Sequence, residues 1–264
     1  MLLKILKCLV LAQLVSCASF KSNKTYNITN NIKYGPHPRH VGDFYRSTRK
    51  NAPLIVTVHG GGWDSRDRTD MESIVLSLAS HGYNVFNINY RLAPEFKHPA
   101  PIEDLTLAIE FMKKKYGHIY DTKKIALWGY SAGTQIVMLY GLKKENQVSA
   151  IVGGGGPYDF TWWPESPIIT PYMGHKRDDN IQAWLDASPI THLTKDAPPI
   201  FLYHGIEDEL VEYQQMTYFD GKAKLLGVDI ETHGVDFWGH ANTFLFSDES
   251  VRKGILFLNK RLLQ

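Results

Sequence analysis

Residues 128–134 read WGYSAGT, in which Gly129 and Gly133 flank Ser131 at the spacing G-x-S-x-G. That spacing has a mechanical cause. A serine on a sharp strand-to-helix turn is forced into a strained conformation, and the residues two positions to either side must be small to avoid collision. Its hydroxyl then stands clear of the sheet. The flanks suit such a turn: Lys124–Trp128 (KIALW) is strand-like, and Ala132–Leu142 (AGTQIVMLYGL) has helical periodicity. Ser131 is therefore expected to be a nucleophile.

Working outward, short apolar or β-branched runs recur at Leu54–Val58, Val85–Tyr90, Ser149–Val152, Ile200–His204 and Val228–Thr232. Between them, Met71–Ser80, Ile102–Tyr116, Tyr213–Leu226 and Glu249–Leu262 have helical spacing. Strand and helix in alternation predict an α/β fold, a mostly parallel central sheet of about eight strands with helices on both faces. Weaker strands around Tyr26–Lys33 and Val41–Arg46 would form an antiparallel lead-in. In an open sheet of this kind the ligand crevice lies beyond the carboxyl ends of the strands, where the partners of Ser131 are to be sought.

HGGGW, His59–Trp63, directly follows the strand LIVTV. Consecutive glycines let backbone approach a ligand and aim amide hydrogens at it, which suits an oxyanion hole formed by Gly61, Gly62 and Ala132. His59 is expected to brace this loop. An acid should follow a later strand, where HGIEDELV offers Glu207, Asp208 and Glu209. Asp208 is selected because the stretch H-G-x-x-D-x-x-V resembles the acid loop of α/β-hydrolases, and the flanking glutamates read as solvated charges. ETHGVDFWGHANTF offers His233 and His240. His233 belongs to a strand end, whereas His240 follows a glycine in a loop able to fold over Ser131, and the order Ser131, Asp208, His240 is the order expected of this fold.

Together HGGGW, NYRLAPEFKHPAPIED, GYSAG, HGIEDELV and GHANTF resemble the α/β-hydrolase esterases of the hormone-sensitive-lipase-like and carboxylesterase groups. Tyr130 stands where many hormone-sensitive-lipase-like members carry an acid, and Thr134 replaces a frequent glycine. The long amino-terminal cap of that group is missing, so a feruloyl-esterase-like subgroup is the nearer resemblance. It implies a serine carboxylesterase acting through an acyl-enzyme and needing no cofactor. Two alternatives stand beside it: an amidase or formamidase of the same fold, and a non-catalytic binding lipoprotein.

The 264 residues carry a formal charge of +2 with no long basic run, which gives no footprint for nucleic acid. The eleven histidines show no metal-ligand spacing, and GGGG at Gly153–Gly156 lacks the Lys-Ser/Thr of a phosphate loop and reads as close backbone packing. Residues 1–16, with Lys4, Lys7 and a short apolar run, read as a signal peptide. Leu14-Val15-Ser16-Cys17 resembles a bacterial lipobox, which would make Cys17 a lipid anchor to the membrane of a bacterial envelope, with secretion as the alternative. Residues 17–31 would be a polar tether and 32–264 the hydrolase domain. Within it, an insert over about residues 158–190 is too long for an ordinary connection and is expected to wall the site. Trp63, Tyr130, Phe160, Trp162 and Trp163 are the expected pocket residues, flat walls suited to a sugar or aromatic ring under an insert that leaves little room for a long acyl chain.

Overall fold

The computed structural model describes residues 25–246 and 248–263; the expected signal peptide and Cys17 lie outside them. Eight strands form one sheet in the order β1-β2-β4-β3-β5-β6-β7-β8. β1 (Tyr26–Lys33) and β2 (Val41–Ser47) are antiparallel, and β2 runs antiparallel to β4. β3 (Leu54–Val58), β4 (Asn84–Ile88), β5 (Ile125–Tyr130), β6 (Ala150–Gly154), β7 (Ile200–Gly205) and β8 (Ile230–Val235) are parallel.

Every residue of β3 to β7 is buried, which is why these strands read as continuous apolar runs rather than alternating ones. Their two faces feed separate cores. Leu54, Val56, Val58, Ile125 and Leu127 meet α2 (Ala100–Tyr116), α3 (Ala132–Gly141) and α6 (Gln214–Leu225). Ile55, Ala126, Trp128 and Tyr130 meet α1 (Glu72–Ser80) and α8 (Asp248–Leu262). Each fully buried leucine or isoleucine stabilises this arrangement by about 2 kcal/mol. α2 also shows its polarity in sequence, with Pro101 in its first turn and Lys113–Lys115 facing the negative end of its dipole.

The strand expected at Tyr26–Lys33 is present, and it takes residues 26–31 out of the tether. Five successive residues of β1 are exposed, so no apolar signal marks it. Backbone pairing to β2 holds it, helped by a hydrogen bond from the Asn31 N–H to Asp43 and from Arg68 to Asn31, both 2.7 Å. β5 extends two residues past Trp128, and β8 begins at Ile230, not Val228.

Between β6 and β7 the chain makes an excursion with two short helices, α4 (Ile169–Met173) and α5 (Ile181–Asp186). Its ends meet: the Ile190 N–H donates to the Tyr158 carbonyl at 3.0 Å, and the Phe160 N–H to the Ser188 hydroxyl at 2.9 Å. Fully buried Phe160, Tyr172 and Trp184 form its small core, and Tyr172 stacks on Trp63 of the main domain at 4.6 Å.

Candidate active site

Ser131 alone separates β5 from α3, and it adopts φ 53°, ψ −122°, a conformation that costs a non-glycine residue about 1–3 kcal/mol. Hydrogen bonds lock it there, from its own N–H to the Gly154 carbonyl at 2.7 Å and from the Thr134 N–H to its carbonyl at 2.9 Å. A Cβ on Gly129 would collide with the Gly133 carbonyl, and one on Gly133 with the Val58 carbonyl. The glycines on either side of Ser131 are thus demanded by backbone packing against backbone.

Asp208 follows β7 and is buried. One of its oxygens accepts the N–H groups of Leu210 and Val211 at 3.0 and 2.9 Å; the other lies 2.7 Å from His240 Nδ1. His240 Nε2 lies 2.9 Å from Ser131 Oγ. The arrangement assigns a proton to Nδ1, given to the carboxylate, and leaves Nε2 free to accept the serine proton. Burial alone would raise the Asp208 pKa, but hydrogen bonds from His204 and His240, the His240 charge and the Val211 amide outweigh it and hold the group well below the usual carboxylate range. His240 is the first residue of a short helix, α7 (His240–Leu245), rather than part of a loop. The structure therefore brings Ser131, Asp208 and His240 together. Glu207 is exposed, and His233 sits in β8 with Lys253 Nζ 3.0 Å away.

His204 is an additional member of the cluster. It is buried, and its Nε2 lies 3.1 Å from the Asp208 carboxylate and 2.7 Å from the Val211 carbonyl. Its position four residues before Asp208 in HGIED was the available signal. Tyr130 also braces the base: its hydroxyl donates to the His240 carbonyl at 2.6 Å.

The loop after β3 passes through Gly61 at φ 102° and Gly62 at φ 58°, a left-handed region open to glycine at little cost. The Gly60 carbonyl accepts from His59 Nδ1 at 2.7 Å and from the Tyr90 hydroxyl at 3.2 Å, which fixes the peptide plane ahead of the Gly61 amide. Arg39, from the β1–β2 connection, ties the loop down. It donates to the Tyr90 carbonyl at 2.6 Å and the Arg66 carbonyl at 2.9 Å, and faces His59 Nε2 at 3.4 Å. Burial lowers the His59 pKa to about 4, with its bond to Gly60 opposing and the Arg39 charge assisting. His59 is accordingly a neutral brace. The N–H groups of Gly61, Gly62 and Ala132 donate to no protein acceptor among the described residues.

A cavity of about 350 Å³ opens at Ser131, with Trp63, Trp163 and Ile168 as its main walls and Glu209 and Glu212 beside them. Trp63 is fixed by a 3.0 Å bond from its indole N–H to Gln135. Trp163 donates its own to Glu212 at 3.0 Å. Three expected wall residues do not line it. Tyr130 points under His240, Phe160 is consumed by the core of the excursion, and Trp162 turns outward onto Tyr218. Glu209, expected as a solvated charge, is exposed and also borders the cavity. Among the described residues no group of three His, Cys, Asp or Glu is arranged to hold a metal ion.

Residues 43–223 match the BD-FAE family. The chain is 31% identical over 224 residues to the probable carboxylic ester hydrolase LipM of Mycobacterium tuberculosis, a match taking in 74% of this chain and 52% of that protein. It is 28% identical to a kynurenine formamidase of Meyerozyma guilliermondii, covering 81% of this chain and 87% of the relative. The chain spans about half the length of the mycobacterial relatives it matches. Among solved structures, a truncated carbohydrate esterase from gut microbiota superposes with a TM-score of 0.82 at 21% identity, over 92% of this chain and 99% of that one. With its eight-stranded sheet and the match across residues 43–223, the chain belongs to the BD-FAE family and has the α/β-hydrolase fold.

Proposed function

We propose that the protein is a serine hydrolase of small carboxylic esters. The observation that carries this reading is the relay from Asp208 through His240 to Ser131, at 2.7 and 2.9 Å, beside glycine amides with no acceptor of their own. As Ser131 Oγ attacks the ester carbonyl, His240 Nε2 takes its proton, and the N–H groups of Gly61, Gly62 and Ala132 receive the negative oxygen. Each such donor contributes about 3 kcal/mol to the barrier reduction. The proton on Nε2 then passes to the departing alkoxide, leaving Ser131 acylated. Water, deprotonated by His240, releases the acid and restores the serine. The ester-hydrolase relatives support the class of substrate.

A fluorophosphonate probe tests the reading: it should label Ser131, identified by mass spectrometry of the modified peptide, and failure to label would favour a binding protein. The cavity is near the small end of the range for ligand sites, about 300–1,000 Å³, so acetyl to butyryl esters should exceed those beyond about ten carbons at least tenfold in kcat/KM. Preference for long chains would point to a lipase.

The formamidase relative favours a second reading, cleavage of an N-formyl arylamine by the same triad. A matched aryl ester and N-formyl arylamine, assayed side by side, separate the two. Attachment to a bacterial envelope membrane through Cys17 is a further part of the proposal and rests on Leu14-Val15-Ser16-Cys17. Cys17→Ser should release the protein from the membrane fraction, and a wild-type protein found in the soluble fraction would restore simple secretion.

A further inference from the structure

The walls of the Ser131 cavity are largely apolar, and the charged side chains among them are Glu209 and Glu212. Neither is neutralised. Both oxygens of Glu212 accept from one neutral donor, the Trp163 indole N–H, at 3.0 and 3.2 Å. Glu209 has no hydrogen bond or ion pair to any described residue. Elsewhere acidic side chains at the surface do find cations, as Glu103 does with Arg91, Glu165 with Lys176 and Glu249 with Lys253. Among the described residues no lysine or arginine lines the cavity. Asp208, the remaining carboxylate nearby, is turned inward and bonded to two histidines.

Resting on the hydrolase reading, we propose that Glu209 and Glu212 make the cavity a charge filter. It takes esters whose pocket-bound group is cationic or neutral, and it turns away those carrying a carboxylate or sulfonate there. Two like charges at a cleft with low-dielectric walls concentrate their field in the cleft, so an incoming anion meets repulsion that no cation on the cavity wall relieves. The same field draws in an ammonium group. Trp163, half-buried on the cavity wall, offers it indole surface, which attracts a cation through the ring quadrupole. Glu212 also has a local structural use, as the acceptor that orients Trp163, and the test must separate that use from its charge.

Three acetate esters of closely matched size serve as probes: acetylcholine, 3,3-dimethylbutyl acetate and 3-sulfopropyl acetate. Wild-type kcat/KM should rank the cation at or above the neutral ester and the anion last, with about tenfold between neutral and anion, equivalent to about 1.4 kcal/mol. Glu212→Gln keeps an oxygen for Trp163 and removes only the charge. The neutral-to-anion ratio should therefore shrink in Glu212→Gln and in Glu209→Gln and approach one in the double variant. Molar salt should compress it in the wild type by screening. An anion hydrolysed as well as the neutral ester by the wild type overturns the filter, as does a ratio that survives in the double variant. If none of the three esters is turned over, the hydrolase reading is what has failed. The filter is then decided by binding of choline, 3,3-dimethylbutanol and 3-hydroxypropanesulfonate, followed through tryptophan fluorescence. A tenfold weaker anion supports it, and equal affinities overturn it.

Discussion

Around Ser131 the parts are held by backbone atoms: the serine N–H on the Gly154 carbonyl, the Gly60 carbonyl clamped by His59 and Tyr90, and Asp208 on two main-chain amides. Between Tyr158 and Ile190 they are held by side chains, with Phe160, Tyr172 and Trp184 packed ring against ring and Trp163 pinned by a carboxylate. The first region holds its reacting groups rigidly, because they are tied to backbone at the ends of buried strands. The second determines the shape of what fits. Chemistry and selectivity are thereby assigned to parts that can change separately, and mutations should divide along that line.

The largest effect belongs to the first region. Ser131→Ala should lower kcat by about 10⁵-fold or more, and Asp208→Asn by about 10⁴-fold, while Glu207→Gln stays close to wild type. These are read from steady-state kinetics on a small ester, with melting temperature as a control on folding. Glu207→Gln matching Asp208→Asn would move the acid and break the comparison. Next comes Arg39→Lys, which keeps the charge but cannot span the Tyr90 and Arg66 carbonyls and His59 together. It should cost about tenfold in kcat with KM little changed, because the loop that carries the Gly61 and Gly62 amides loosens. A change confined to KM would assign Arg39 to the pocket instead.

His59 sharpens the contrast through pH. Its pKa is about 4 in the folded chain against 6.5 ordinarily, so between those values the unfolded state binds more protons. Stability therefore rises with pH across that window and is lost on acidification, by about 2–3 kcal/mol from this residue near pH 4.5. Half-buried His98, also lowered to about 4, adds a further share of the same sign. His59→Gln should remove a substantial part of the slope of urea stability between pH 7 and 4.5, with His98 and His233, also lowered by burial, supplying the rest. A slope equal to wild type would mean that His59 is not the buried neutral brace. The smallest effect is in the second region: Trp163→Phe should change KM for a small ester by about three- to tenfold, and Trp162→Phe should stay within about twofold. Equal effects would put Trp162 back on the cavity wall.

The first region was legible in the sequence because a backbone turn imposes residue types at fixed spacings. Gly129, Ser131 and Gly133 are read from five letters, and the order of serine, acid and histidine follows from the order of strands. Long-range braces leave no such trace. Arg39 acts 20 residues from His59 and 51 from Tyr90, with nothing local to mark it. The pocket was half legible. Phe160, Trp162 and Trp163 are near neighbours, but the tight turn at Phe160–Trp162 sends the first into the core, the second to solvent and the third to the cavity. Which aromatic faces which way is settled by packing. β1 gave only a weak signal, at Tyr26–Lys33, for a third reason: an edge strand bonded through its backbone tolerates polar side chains on nearly every position.

The bond from Ile190 to Tyr158, with Ser188 reaching Phe160 beside it, closes a neck below the excursion. Everything between those residues leaves and returns at one point, as a loop whose closure is already fixed. The entropy of such a loop grows only with the logarithm of its length, at about 0.6 kcal/mol for each doubling. A longer, shorter or unrelated segment can hang from the same neck with little strain passed to β6 and β7, whose ladder pairs Gly154 with Tyr203 just beneath. New pockets over an old serine are in this architecture a matter of splicing rather than redesign.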